Sequence, residues 1–121
     1  MYIPLDDLRI YQEAMDYGEK VNTIVIDWNH FLHRELAKQW YRAADSIALN
    51  IAEGHGRHHL KENLNFLYYS RGSLLECKAC TQKAMNREII TAAEFQILQD
   101  ILRELHVHIN NYINKISKPK Q

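Results

Sequence analysis

The sequence predicts an all-α protein that folds as an antiparallel up-down-up-down four-helix bundle. Only four Gly and two Pro occur among the 121 residues, whereas strands joined by tight turns need more of both residue types. Apolar residues instead recur every three or four positions through four long segments, which is the spacing of one helix face. The connections between these segments are short, which favours antiparallel neighbours and therefore a bundle.

Four helices are predicted within one domain, 1–121, over about residues 5–28, 33–53, 58–85 and 92–116. Gly54 is placed just after the second helix, where a residue in the left-handed conformation commonly ends a helix. Gly72 and Ser73 lie in the middle of the third helix, where small side chains let another backbone come close. Thr91 and Glu94 have the spacing of a capping box at the start of the fourth helix.

The composition excludes several classes of protein. Basic and acidic residues both number 15, so the net charge is zero and a strongly basic grip on nucleic acid is not expected. An acidic first segment nevertheless offsets a basic middle, because residues 1–36 carry net −4 and residues 37–90 carry net +3. The sequence has neither an apolar stretch of about 18 residues nor a secretory signal. With two cysteines in the default reduced state, we expect a cytoplasmic protein without a membrane partner.

The predicted helices carry more apolar residues than one core uses. Leu49 lies off the main stripe of the second helix, and Phe66, Tyr68 and Tyr69 group around the third. A bundle helix usually devotes about three positions in seven to the core. A second apolar face on a small protein predicts self-association, although half-buried surface aromatics are the alternative.

A polar stripe runs along the second helix. Arg42, Ser46, Asn50 and Glu53 recur at helical spacing and share one face. If the second and third helices form a hairpin about Gly54–Gly56, Asn50 comes level with about Glu62, and Arg42 with about Ser70 and Arg71. Two interpretations remain open: a hydrogen-bond network that holds helix register, and a subunit contact or ligand pocket.

Two clusters are candidates for chemistry. Cys77 and Cys80 are three apart and share a helix face, so they could form half of a metal site; small core residues are the alternative. His55–His59 lies at a turn beside a helix start and, with Lys61, could bind a phosphate when the histidines are protonated. A solvated polar turn is the alternative there. No catalytic or cofactor-binding motif occurs, so we expect no enzyme, no cofactor and no small-molecule substrate.

Two longer motifs resemble the hallmarks of one bacterial four-helix-bundle family. Residues 42–57 read RAADSIALNIAEGHGR and are similar to the family pattern RAaxSIxxNIAEGxGR. Residues 66–76 read FLYYSRGSLLE and resemble FLxxAxGSLxE, with Ser70 where the family often has Ala. The family includes the proteins encoded within intervening sequences of 23S rRNA genes, and the resemblance extends from Leu5 to about Ile116.

This resemblance implies a left-handed antiparallel bundle that assembles into a homopentamer and acts as a non-enzymatic scaffold or adaptor. We assign the contacts that fix register within and between subunits to the polar and small residues of the two motifs. These are Arg42, Ser46, Asn50, Glu53, Arg57, Gly72, Ser73 and Glu76.

The alternative function is that of a nucleic-acid-binding accessory protein. A related branch, the accessory variability determinants of diversity-generating retroelements, binds nucleic acid and a reverse transcriptase and is strongly basic, whereas this chain is neutral. A ring would bring several copies of the basic middle segment to one surface. The candidate contacts to RNA or another polyanion are Arg57, His58, His59, Lys61 and Arg71.

Overall fold

The structure is a computed structural model that describes residues 2–118. Four helices follow a 3-10 turn at Leu5–Asp7: α1 Arg9–Val25, α2 Phe31–His55, α3 Leu60–Asn86 and α4 Ala92–Ser117. Each helix packs on the next, most extensively α2 on α3, and α4 returns to α1 with the smallest of the four contacts. The predicted all-α four-helix bundle is therefore confirmed. Among the described residues, no helix is both long and apolar enough to cross a membrane.

The helices begin and end close to the predicted positions, with three differences. The first helix ends at Val25 rather than near residue 28. The first helix starts at Arg9 rather than near residue 5, because Leu8 is extended and buried and separates it from the 3-10 turn. The second helix runs through Gly54 to His55, so the prediction that Gly54 ends it is wrong. Gly56 caps α2 instead, and its N–H donates to the Ala52 carbonyl oxygen.

The α4 capping box is confirmed. The Glu94 N–H donates to Thr91 Oγ1 at 3.0 Å, and the Thr91 N–H donates to Glu94 Oε1 at 2.8 Å. Two backbone donors that an isolated helix start leaves without partners are thereby satisfied.

The core is apolar, with one polar contact between α1 and α2. Trp40 is fully buried and donates its Nε1–H to the Tyr17 hydroxyl oxygen at 3.0 Å. Because buried Trp and Tyr need partners for their polar atoms, this hydrogen bond fixes the axial level at which α1 meets α2. At the contact between α1 and α4, His108 Nδ1 lies 2.8 Å from both carboxylate oxygens of Glu13.

The register of the α2–α3 hairpin differs from the predicted one. Ser70 Oγ donates to the Ile47 carbonyl oxygen at 2.8 Å, and Ser73 Oγ donates to Ser46 Oγ at 3.0 Å. Ser70 is therefore level with Ile47, not with Arg42. The shift arises because α2 continues past Gly54 and the connection occupies residues 56–59, which moves the centre of the hairpin toward α3.

Candidate interaction surface

Most of the residues that the sequence motifs single out line a groove between α2 and α3. At its floor, Ser46 Oγ accepts hydrogen bonds from Asn50 Nδ2 at 2.9 Å and from Ser73 Oγ at 3.0 Å. Asn50 Nδ2 also lies 2.9 Å from the Ser46 carbonyl oxygen. Three of the predicted register residues are thus brought together, and their hydrogen bonds join the two helices.

Ser70 belongs to the same contact, although the sequence motifs gave it no role. Its side chain is fully buried, and its hydroxyl reaches across to the α2 backbone. The sequence offered one signal of this role, which is that Ser70 replaces the Ala of the family motif. A hydroxyl in a buried helix contact needs an acceptor.

The groove continues toward the C-terminal end of α3 as a cavity of about 600 Å³. Arg42 and Glu76 both line it, and they do not form an ion pair with each other. Three further basic side chains line the same cavity: Lys38, Lys83 and Arg87. Within residues 2–118, none of these four cations has an acidic partner within salt-bridge distance.

The opposite end of the groove is closed by Arg57. Its guanidinium pairs with Glu53 at 3.3 Å and with Glu62 at 3.7 Å, and it lies 5.0 Å from the centre of the Phe66 ring. These partly exposed pairs contribute little to stability, but they hold Arg57 against the start of α3.

Two glycines of the motifs have opposite environments. A Cβ atom at Gly54 would lie 2.7 Å from Phe66 Cβ and 2.8 Å from Asn63 Oδ1, so only glycine lets α2 and α3 meet there. A Cβ atom at Gly72 would meet no atom of residues 2–118 within 4 Å. No other helix of the described range therefore packs closely against Gly72, and the position faces outward.

The five candidate nucleic-acid contacts do not form one surface. Arg57 lies on the α2 side of α3, whereas Arg71 donates to Asn110 of α4 at 2.9 Å and lies over the Tyr68 ring. The remaining three candidates are exposed around the α2–α3 connection: His58, His59 and Lys61.

Within the predicted histidine cluster, His55 has a structural role. Its Nε2 lies 2.5 Å from the Ile3 carbonyl oxygen, and its ring packs against Tyr2. His55 therefore holds the N-terminal segment against the end of α2.

The two cysteines face the core. Cys77 and Cys80 are both free and buried. Burial raises the pKa of the Cys77 thiol to about 12 and also raises the pKa of Cys80, so both remain protonated near neutral pH. Nowhere in the described range do three or more potential metal-ligating side chains cluster. The thiols pack as small apolar groups.

Comparison with protein families supports the resemblance of the two motifs. The family model described as 23S rRNA-intervening sequence protein matches residues 6–111. The chain belongs to this family. The match includes the whole of α1, α2 and α3 and most of α4, so the family assignment covers the groove as well as the fold.

Among solved structures, the following shares the fold of this member of the 23S rRNA-intervening sequence protein family. It is a protein of unknown function from the S23 ribosomal protein family of Bacteroides thetaiotaomicron VPI-5482, with a TM-score of 0.78 and 17% sequence identity. The alignment covers 86% of this chain and 97% of that chain. At this identity the likeness is one of fold. No curated protein matches the chain.

Proposed function

We propose that this protein is a non-enzymatic cytoplasmic scaffold that works as a homo-oligomer, with a pentamer as the expected form. The observation that carries the proposal is the outward face of α3. Tyr68 lies one turn before Gly72 on this face and Leu75 lies one turn after it, and Leu75 is 51% exposed. Neighbouring Tyr69 is 59% exposed.

An outward glycine in the middle of a 27-residue helix needs a reason. Gly there destabilises a helix by about 1 kcal/mol relative to Ala, and no atom of residues 2–118 fills the space that it leaves. A second backbone packed over Gly72, flanked by Tyr68 and Leu75, uses that space and buries the apolar side chains.

The polar groups of the groove support a structural role rather than a catalytic one. Ser46, Asn50, Ser70 and Ser73 are engaged with one another or with the backbone across the helix contact. These hydrogen bonds hold the register of α2 against α3 and thereby keep the outward face of α3 in place.

Light scattering coupled to size exclusion tests the proposal. The wild-type protein should elute as a species of several times 14.3 kDa. The double variant Tyr68→Lys, Leu75→Lys should lose this mass, because two charges replace the apolar contact while helix propensity is kept. Asn111→Lys with Asn114→Lys adds the same charge to exposed positions of α4 and should leave the mass unchanged. A wild-type monomer at micromolar concentration would reject the proposal.

A second candidate is nucleic-acid binding, which the exposed cluster His58, His59 and Lys61 favours. Binding through phosphates weakens steeply with salt. A titration with a structured RNA at low and high NaCl concentration should then show affinity that falls with salt and is reduced by Lys61→Gln. No binding at low salt would eliminate this candidate.

A further inference from the structure

The outward face of α3 has two apolar edges, one on each side of Gly72. Tyr68 and Leu75 are seven positions apart and therefore share one stripe of the helix. Arg71, which donates to Asn110 of α4, lies 5.2 Å from the centre of the Tyr68 ring. This stripe therefore borders α4, and we call Tyr68 and Leu75 the α4-side edge.

The second edge borders α2. The Tyr69 ring meets the Phe66 ring edge-on at 5.6 Å, and Phe66 lines a cavity of about 790 Å³ together with Leu49 of α2. The hydrogen bond from Ser70 to the Ile47 carbonyl oxygen brings Leu49 level with about Tyr69. Leu49 and Tyr69 are 65% and 59% exposed. We call Leu49, Phe66 and Tyr69 the α2-side edge.

The two edges lie at one axial level and point in different directions. Tyr68 and Tyr69 are consecutive, and consecutive residues of an α-helix differ by about 100° around its axis and by about 1.5 Å along it. The six positions from Tyr69 to Leu75 correspond to about 120° by the same geometry. These angles are close to the roughly 108° between the two neighbours of a copy in a five-membered ring.

The surroundings of the two edges carry opposite net charge. Beside the α2-side edge are two cations and four carboxylates, for net −2: Arg42, Arg57, Asp45, Glu53, Glu62 and Glu76. Beside the α4-side edge are three cations and two carboxylates, for net +1: Arg71, Lys78, Arg103, Asp100 and Glu104. Contact between unlike edges therefore brings opposite charges together, whereas contact between like edges brings like charges together.

We propose that the α4-side edge of one copy packs against the α2-side edge of the next copy, with α3 facing the inside of a closed ring. The inference rests on the proposed function and specifies its interface. Contact between two different surfaces is head-to-tail, and it forms a ring when the rotation between copies closes. Because both edges lie on or beside one helix at one level, successive copies join without a step along the axis.

A second copy of this chain fits both edges. Each edge supplies the apolar side chains and the net charge that the other one lacks as a partner, so one kind of contact buries both. Gly72 lies between the edges, and no atom of residues 2–118 comes within 4 Å of its Cβ position. Neighbouring helices can therefore approach the α3 backbone there from both sides.

Two double variants test the pairing, one for each edge. Leu49→Lys with Tyr69→Lys disrupts the α2-side edge, and Tyr68→Lys with Leu75→Lys disrupts the α4-side edge. All four side chains are exposed, so both variants should fold, as circular dichroism and thermal unfolding would verify. Each variant alone should have the monomer mass of 14.3 kDa in light scattering, because every contact in the ring needs both edges.

The control variant is Asp16→Asn with Glu19→Gln. It makes the same change in net charge at exposed positions of α1, which lies across the bundle from α3. It should keep the wild-type mass.

An equimolar mixture of the two double variants gives the decisive result. Each variant retains the edge that the other has lost, so one contact can form per pair and the ring cannot close. Sedimentation velocity over a concentration series should show a 1:1 complex of twice 14.3 kDa. A chain that carries all four substitutions has neither edge, and it should form no complex with either double variant.

The outcomes separate this inference from the proposed function. A monomeric wild type rejects both. If the wild type is an oligomer and Leu49→Lys with Tyr69→Lys keeps its mass, the pairing is wrong and the scaffold proposal stands. The same conclusion follows if the mixture of double variants stays monomeric at the highest soluble concentration, because contact between identical faces predicts no complex there.

Discussion

At the scale of single residues, Gly54 and Ser70 determine how closely α2 and α3 pack. Gly54 removes a side chain where α2 passes over Phe66 and Asn63, and Ser70 supplies a hydroxyl that reaches the α2 backbone. Both lie in the largest helix contact of the molecule, so changes at these positions should affect the stability of the whole bundle.

We predict that Gly54→Ala destabilises the fold, although Ala is the better helix former. The new Cβ atom would lie 2.7 Å from Phe66 Cβ, and forcing the two helices apart costs about 1–3 kcal/mol. Urea unfolding should show the loss. Gly56→Ala is the matched control, because its Cβ would come no closer than 3.7 Å to another atom and its φ of −79° suits any residue. An equal effect of both variants would contradict the prediction.

Ser70→Ala should lower the free energy of unfolding by about 1 kcal/mol, the typical net value of one hydrogen bond. The lost bond joins α3 to the Ile47 carbonyl oxygen of α2. Ser117→Ala removes a hydroxyl that bonds only within its own helix, to the Ile113 carbonyl oxygen, and should change stability less. The register assignment fails if the Ser117 variant is the less stable of the two in chemical denaturation.

At the scale of helices, α3 differs from the others in the placement of its apolar residues. Leu67 and Leu74 are buried, whereas Tyr68, Tyr69 and Leu75 point away from the core. Helical periodicity therefore identifies α3 as a helix. It does not show that part of the apolar surface of α3 lies outside the core of the described bundle. We place contacts with other copies on this outward face of α3.

Gly72→Ala should stabilise α3 in the monomer by about 1 kcal/mol, since the added methyl group has no neighbour within 4 Å in the described part of the chain and Ala has the higher helix propensity. The measurement is best made in the monomeric Tyr68→Lys, Leu75→Lys background by thermal and urea unfolding. Ala79→Gly, at another exposed position of α3, should cost a similar amount there. If Gly72→Ala did not raise the free energy of unfolding of the monomer, the prediction would be wrong.

At the scale of the whole molecule, unfolding exposes groups whose protonation depends on the buried core. Tyr17 contacts both Trp40 and Cys77 in the centre of the bundle, and burial raises the pKa of Tyr17 as well as that of Cys77. Both groups are neutral in the folded state over a wider pH range than in the unfolded chain, so the core is sensitive to alkali.

Stability should therefore fall above about pH 9. The Cys77 pKa is about 12 in the folded protein against 9.0 in the unfolded chain, so between these values the folded state binds more protons. The contribution is fully present below pH 9 and is lost as pH rises, at about 1.4 kcal/mol per pH unit for one group. Urea unfolding at several alkaline pH values should show a shallower decline for Cys77→Ala. Parallel declines in the two proteins would contradict the assignment.

Much of the fold was predictable because its signals are local. Helical periodicity located four helices, and the spacing of Thr91 and Glu94 located the start of α4. Gly54 was misinterpreted because its role is not set by a local signal. A glycine near a helix end is typical of a cap, but here a contact with α3, distant in the chain, determines its role.

The candidate site was only partly predictable. The motif spacing placed Ser46 and Asn50 on one face of α2, and their contact with Ser73 is consistent with the predicted network. The hairpin register was wrong because it depends on where α2 ends. Arg57 and Arg71, both basic in the sequence, are directed to different sides of α3 by partners on α2 and α4.

The sequence by itself determined the four helices, the bundle and the family, because periodicity, capping and motif spacing act within short stretches of chain. The tertiary structure alone decided the hairpin register and the outward position of Gly72. These properties depend on the rotation and axial level of each helix relative to its neighbours. Buried contacts such as Trp40 with Tyr17 and Ser70 with Ile47 set both, and they join residues 23 positions apart in the chain.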